Sequence, residues 1–150
     1  MKNLFNIQDK VIVITGAAGV LAGGTARYLQ EQGACVVYLD RVQEKVDHAL
    51  AEAKKSSDQC SGYRCNVLDQ SALDAVYESV IGTYGRVDVL INGAGGNMPG
   101  ATIGPEEDIF SLDLDDYSSV LDLNLKGTLM PSLTFAKAFK AQGSGCIVNF

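Results

Sequence analysis

The run KVIVIT, Lys10–Thr15, is apolar and β-branched from Val11 to Ile14 and is stopped by Gly16. A strand with one wet face alternates polar and apolar side chains, whereas one covered on both faces does not. Continuous runs return at ACVVYLD (Ala34–Asp40) and CIVNF (Cys146–Phe150), so all three are predicted as buried strands. Shorter strands are predicted at GYRCNV (Gly62–Val67) and VDVLI (Val87–Ile91).

Longer amphipathic stretches separate these runs. One helix is predicted up to Gln32, closed by Gly33 as the residue past its end. A second spans Val42–Lys55. A third is capped by Asp69 and runs to Tyr84, with Leu73, Val76, Tyr77, Val80, Ile81 and Tyr84 on one stripe. That stripe suits either the sheet below it or a second subunit. A long loop from Asn92 to about Asp113 holds Pro99, Pro105 and several glycines. A fourth helix is predicted from around Asp115 to Gln142. Pro131 lies inside it and opposes the carbonyl of Gly127, so a kink is expected there. Strand and helix alternate, which predicts the α/β class with helices on both faces of a parallel sheet. Right-handed crossovers make it a doubly wound, Rossmann-type sheet of five strands. A chain of 150 residues suits one domain with a real core, and no linker or repeat divides it.

Composition narrows the function. A net charge of -6 without any basic run argues against nucleic acid as a partner. Apolar content of 47% with 20% charged residues is that of an ordinary globular protein. No stretch approaches the roughly 20 apolar residues of a membrane helix. Lys2 is followed by no long apolar run, so no signal peptide and a cytoplasmic location are expected. Cys35, Cys60, Cys65 and Cys146 have no C-x-x-C spacing and are expected as reduced core thiols. His48, the only histidine, sits on a polar helical stretch, which leaves a zinc site short of ligands and a Ser-His-Asp hydrolase without its G-x-S-x-G turn.

The glycine-rich stretch ITGAAGVLAGG, Ile14–Gly24, leaves the first strand and enters the first helix. Amide groups of an unfinished first turn attract an anion there. Gly16 and Gly19 permit a tight bend and let backbone approach phosphate. Asp40 ends the second strand twenty-one residues after Gly19, where an acidic side chain accepts hydrogen bonds from an adenosine ribose. Its charge repels the extra phosphate of NADP, which favours NAD, and the adjacent Arg41 softens that exclusion. A methyltransferase also uses a glycine-rich loop with an acidic residue ending the second strand, but INGAG after the fourth strand speaks against it.

TGAAGVLAG (Thr15–Gly23) resembles the T-G-x-x-x-G-x-G loop of the short-chain dehydrogenases/reductases. INGAG (Ile91–Gly95) resembles their N-N-A-G, CNVLD (Cys65–Asp69) their C-D-V-T-D, and DLNLKGT (Asp122–Thr128) their V-x-x-V-N-x-x-G. Within that family, GVLAG, NGAGGN and LDLNLKGTLMPS are most similar to the D-mannonate oxidoreductase (fructuronate reductase) branch. Three departures stand out. The family's second and third loop glycines fall on Val20 and Ala22, with Gly19 and Gly23 one residue to either side. Gly93 replaces the second Asn of N-N-A-G, and Asn66 replaces the usual Asp.

The resemblance implies a role for each matching residue. Gly16, Gly19, Val20 and Leu21 would lie along a pyrophosphate, and Asp40 with Arg41 would meet the adenosine ribose. Asn66 and Val67 would flank adenine, while Asn92, Gly93 and Ala94 would pass near the nicotinamide ribose. Asn124 would match the helix asparagine whose backbone carbonyl holds a water in the proton relay. The resemblance also implies a small-molecule substrate such as a sugar acid, and a homo-oligomer. Its Ser and its Y-x-x-x-K pair are not in these residues: none of Tyr28, Tyr38, Tyr63, Tyr77, Tyr84 and Tyr117 has Lys four positions on. Hydride transfer needs an acid or base at the alcohol oxygen. The chain is therefore expected to be the cofactor-binding N-terminal portion of a longer enzyme, inactive by itself. Within the full sheet CIVNF would be internal, so here it would form an apolar edge. A 3-oxoacyl carrier-protein reductase and a non-catalytic dinucleotide sensor are the alternatives.

Overall fold

The computed structural model describes residues 6–150, and the expectation that turns on Lys2 lies outside them. Five parallel strands form one sheet: β1 (Val11–Thr15), β2 (Cys35–Asp40), β3 (Cys60–Arg64), β4 (Val89–Asn92) and β5 (Cys146–Asn149). Their order is β3-β2-β1-β4-β5. Ile14 stands beside Tyr38 on one flank and Ile91 on the other. Five helices connect or follow the strands: α1 (Val20–Glu31), α2 (Gln43–Ala53), α3 (Gln70–Tyr84), α4 (Leu114–Leu121) and α5 (Gly127–Gln142).

The continuous apolar character of β1 and β2 has a direct cause. Val11, Val13, Val37 and Leu39 point into a layer closed by Leu73, Val76 and Val80 of α3 and by Phe135 and Ala138 of α5. Ile12, Ile14, Val36 and Tyr38 point the other way, against Ala22 and Ala26 of α1 and Ala53 of α2. Adjacent side chains serve opposite layers, so neither parity can be polar. The stripe on α3 covers its own sheet, since Tyr77, Ile81 and Tyr84 pack against the same layer. Gln30 is the polar exception in the second layer. Its amide donates to the carbonyls of Ala53 and Ser57 at 3.0 and 2.7 Å and accepts from the Tyr38 hydroxyl at 3.1 Å, tying α1 to the end of α2.

Helix ends follow their sequence signals. Asp69 accepts from the amides of Ser71 and Ala72 at 3.0 and 3.2 Å. Gly33 closes α1 at φ 88°, a conformation that side chains resist.

Four expectations need correction. β3 begins at Cys60 and ends at Arg64, so Asn66 and Val67 belong to the loop beyond it. β4 begins two residues later than VDVLI implied, because Asp88 turns its carboxylate onto the Val11 amide at 3.0 Å. The long fourth helix is two helices, α4 and α5, joined by a π-helical turn at Asp122–Lys126. That break precedes the expected kink: the Gly127 amide reaches back to the Asp122 carbonyl. Gly127 itself is pressed on the loop after β3, where a Cβ would come within 2.9 Å of Val67. Finally, β5 pairs with β4 alone and is exposed along its length, Cys146 included, so neither the strand nor that thiol is buried. It does form the expected apolar edge, with Ile147 and Val148 each 39% exposed.

Among the described residues no helix is long and apolar enough to cross a membrane, and no group of three potential ligands is placed to hold a metal ion.

Candidate functional site

The chain runs outward through β2 and β3, then returns to place β4 on the other side of β1. At such a switch point the loops leaving neighbouring strands diverge, and a crevice opens at the carboxyl ends of the strands. A cleft of about 720 Å³ lies there. It is lined by the turn after β1 (Gly16, Gly19, Val20, Leu21), the end of β2 (Asp40, Arg41), the loop after β3 (Asn66, Val67) and the loop after β4 (Gly93, Ala94). Ten of the twelve site residues read from the sequence therefore share one cavity.

Its floor is built by backbone. Gly16 adopts φ 66°, and a Cβ on it would stand 2.7 Å from the Gly93 carbonyl oxygen. The buried Thr15 hydroxyl accepts from the amides of Gly93 and Ala94, both at 3.1 Å, and so bolts the β4 loop to the end of β1. Thr15 carries no local sequence signal for this role, because the bond joins residues far apart in the chain.

Above this floor, α1 starts at Val20 with Gly19 as its cap and no side chain bonded to its first turn. The Gly19 amide is used by the Gly16 carbonyl at 2.9 Å, and the Gly23 amide by Gly19 at 3.0 Å. The amides of Val20, Leu21 and Ala22 have no carbonyl within the helix to reach. No acidic residue sits in that turn, so the partial positive charge of the helix end is uncompensated. Val20 and Leu21 are 90% and 79% exposed, standing clear of the fold at the cleft mouth. Gly23, rather than position 22, supplies the close contact of helix and turn: a Cβ there would lie 2.9 Å from the Ala17 carbonyl.

Asp40 keeps one carboxylate oxygen on the Val42 amide at 3.2 Å. Arg41 is exposed, and its carbonyl accepts from Arg64 at 3.3 Å. Asn66 accepts from the Leu68 amide at 3.1 Å. Cys65 also lines the cleft, but burial, helped by the Asp69 carboxylate, pushes its thiol up to about 11. It is protonated at neutral pH and is no nucleophile.

Two sequence-read residues do not line the cleft. Asn92 is 2% exposed and turns its amide to Ser132 at 2.9 Å and Asn149 at 2.8 Å. Asn124, in the π-helical turn, uses its side chain on Gly96, accepting from the amide at 2.9 Å and donating to the carbonyl at 3.0 Å. Asn124 is exposed, so these bonds tie it to the loop after β4 rather than satisfy a buried group. A smaller recess of about 390 Å³ lies between α1 and α2, where Arg27, Lys45 and His48 mix with Glu44 and Glu52.

A five-stranded doubly wound sheet with an uncapped helix start at its switch point has the α/β fold of the Rossmann type. Comparison with known proteins makes the assignment specific. Residues 10–150 match the family model described as short chain dehydrogenase. An uncharacterised oxidoreductase of Haemophilus influenzae is 34% identical, the match covering 96% of this chain and 54% of that protein. A crystal structure assigned to a D-mannonate oxidoreductase from Haemophilus influenza, with bound NAD, superposes with a TM-score of 0.88 at 35% identity, covering 96% of this chain and 55% of the other. An NAD+-bound xylitol dehydrogenase superposes at 0.87 with 28% identity, over 95% and 53% of the two chains. The chain belongs to the short chain dehydrogenase family, whose members are oxidoreductases, and it spans about half the length of the relatives it matches.

Proposed function

We propose that this chain is the NAD-binding portion of a longer oxidoreductase that interconverts the CH–OH and C=O groups of a sugar acid such as D-mannonate or D-fructuronate. The observation that carries the proposal is the convergence, on one cleft, of the open first turn of α1 and the Asp40 carboxylate. The cavity of about 720 Å³ suits a dinucleotide, and glycine at 16 and 93 lets the two loops of its floor close on one another, since a Cβ on either would collide with the neighbouring loop or helix. When bound, NAD supplies the hydride acceptor or donor.

The residues of this chain bind and orient. Amides of Val20, Leu21 and Ala22 neutralise the pyrophosphate, with Gly16 and Gly19 giving the backbone its close approach. Asp40 accepts from the adenosine ribose, a charged hydrogen bond of about 1.5–3 kcal/mol. It repels a 2′-phosphate, and Arg41 moderates that repulsion. Asn66 and Val67 flank the adenine, and Gly93 and Ala94 border the nicotinamide ribose. Asn92 serves from beneath, as a buried anchor. Asn124 offers the relay water the second lone pair of its backbone carbonyl, which already accepts from the Thr128 hydroxyl at 2.9 Å, while its side chain grips Gly96. Protonation at the substrate oxygen falls to a Tyr–Lys pair outside this chain.

Sugar acids are preferred because the family resemblance and the NAD-bound Haemophilus structure point the same way. The protein is proposed as a cytoplasmic homo-oligomer. Leu121, Leu125, Leu129 and Leu133 support assembly, recurring every fourth residue along α4, the π-helical turn and α5. They are 46%, 67%, 53% and 63% exposed, a row of large apolar side chains left in water. Assay of the intact protein with NAD+ and D-mannonate, against xylitol and a 3-hydroxyacyl thioester, tests the proposal. Turnover of the sugar acid at the highest kcat/KM is expected, and preference for either competitor would refute the substrate assignment.

A further inference from the structure

The segment Asn92–Gly96 is fastened to one helical stretch at both ends. At its start, the Asn92 amide donates to the Ser132 hydroxyl at 2.9 Å. At its finish, the Asn124 side chain holds both backbone groups of Gly96. Asn124 and Ser132 are eight residues apart, roughly 12 Å along a helix axis. That is close to the full reach of four peptide steps at about 3.3–3.6 Å each. Thr15 pins the middle through Gly93 and Ala94. What remains of the segment's surface faces the cleft, from Gly93 to Gly96.

Ser132 is the decisive fastening. It does not line the cleft. A helical serine commonly bonds the carbonyl four residues back. Ser132 does so at 2.7 Å to Thr128. Here the same oxygen also accepts from Asn92, so its rotamer is fixed from two sides. Asn92 has no alternative support for that hydrogen: its second donor is spent on Asn149, and its own Oδ1 is buried without a partner. Loss of the serine hydroxyl would leave a second unpaired polar group on this buried residue.

We propose that Ser132 is a positioning residue: through Asn92 it sets the height of the Gly93–Gly96 strip against the half of the cleft that takes the nicotinamide end of the dinucleotide. The inference rests on the dinucleotide reading of the cleft. Asp40 belongs to the other half, where its side chain bonds the Val42 amide and shares no hydrogen bond with this fastening.

The test uses the intact protein and two probes: NADH, and adenosine diphosphate, which carries the adenosine and both phosphates but neither the second ribose nor nicotinamide. Ser132→Ala is expected to weaken NADH about tenfold and leave adenosine diphosphate within twofold of wild type. Ser132→Thr, which keeps the hydroxyl, is expected to restore NADH binding. Hydrogen exchange at Gly93–Asn97 is expected to quicken in the alanine variant alone. Should alanine not fold, Ser132→Cys, with a poor acceptor in the same volume, is expected to show a smaller loss of the same kind. Equal loss of both probes, or no loss of NADH, overturns the positioning role while leaving the dinucleotide site standing. Failure of the wild type to bind either probe overturns both.

Discussion

Ala22 and Gly93 are in contact across the cleft floor, and a Cβ on Gly93 would lie 2.8 Å from that of Ala22. The pair explains two departures from the family motifs at once. Where the family pattern has glycine at the first position and asparagine at the second, this chain has alanine and glycine, and the small residue has changed sides. Gly93→Ala is expected to cost about 1–3 kcal/mol by overpacking. Ala22→Gly in that background should recover part of the loss. The Thr15 carbonyl, 2.9 Å from the same Cβ, limits the recovery. Urea unfolding of the four species gives the coupling, expected at about 0.5–3 kcal/mol for residues in contact. Strict additivity would show that the two changes are unrelated.

Acid stability turns on Asp88. Burial works to raise its carboxyl, but the Arg86 guanidinium, the Val11 amide and the Lys10 ammonium outweigh it and hold the group below the usual carboxylate range. A lowered folded value contributes stability that is complete above the unfolded value of about 3.9 and is lost as pH falls through the folded one. Asp88→Asn is therefore expected to be less stable than wild type at neutral pH, with the difference shrinking below about pH 4. Melting temperatures across pH 3–7 check this, and a difference that grows toward acid would contradict it.

The leucine row on α4 and α5 makes a third expectation. Leu125→Glu with Leu129→Glu in the intact protein should lower the assembly state seen by light scattering, without loss of helical content. Both side chains are more than half exposed, so the fold does not need them. An unchanged assembly would place the subunit contact elsewhere.

Much of this architecture is legible in the chain because its strands are buried on both faces. Val11–Ile14 and Val36–Leu39 need apolar residues at every position, a signal that survives without any partner in view. Asp69 and Gly33 mark helix ends by local chemistry alone. The cleft is legible for the same reason, since Gly16, Asp40 and Gly93 each sit where a strand stops. The missed features depend on distant contacts. Asn92 reads as a cleft residue until Ser132 and Asn149 are seen to take its amide. The π-helical turn ends at Gly127, where a Cβ would meet Val67, sixty positions away. Cys146–Phe150 carries the composition of an internal strand, yet it has a neighbour on one side only.

Calorimetric titration of the intact protein with NAD+ and NADP+, in parallel with Asp40→Ala, tests the central claim most directly. The wild type is expected to bind NAD+ at least tenfold more tightly than NADP+. The variant should lose about 1.5–3 kcal/mol toward NAD+ while narrowing or reversing the preference. Heat from neither nucleotide, or a preference unmoved by Asp40→Ala, would contradict it.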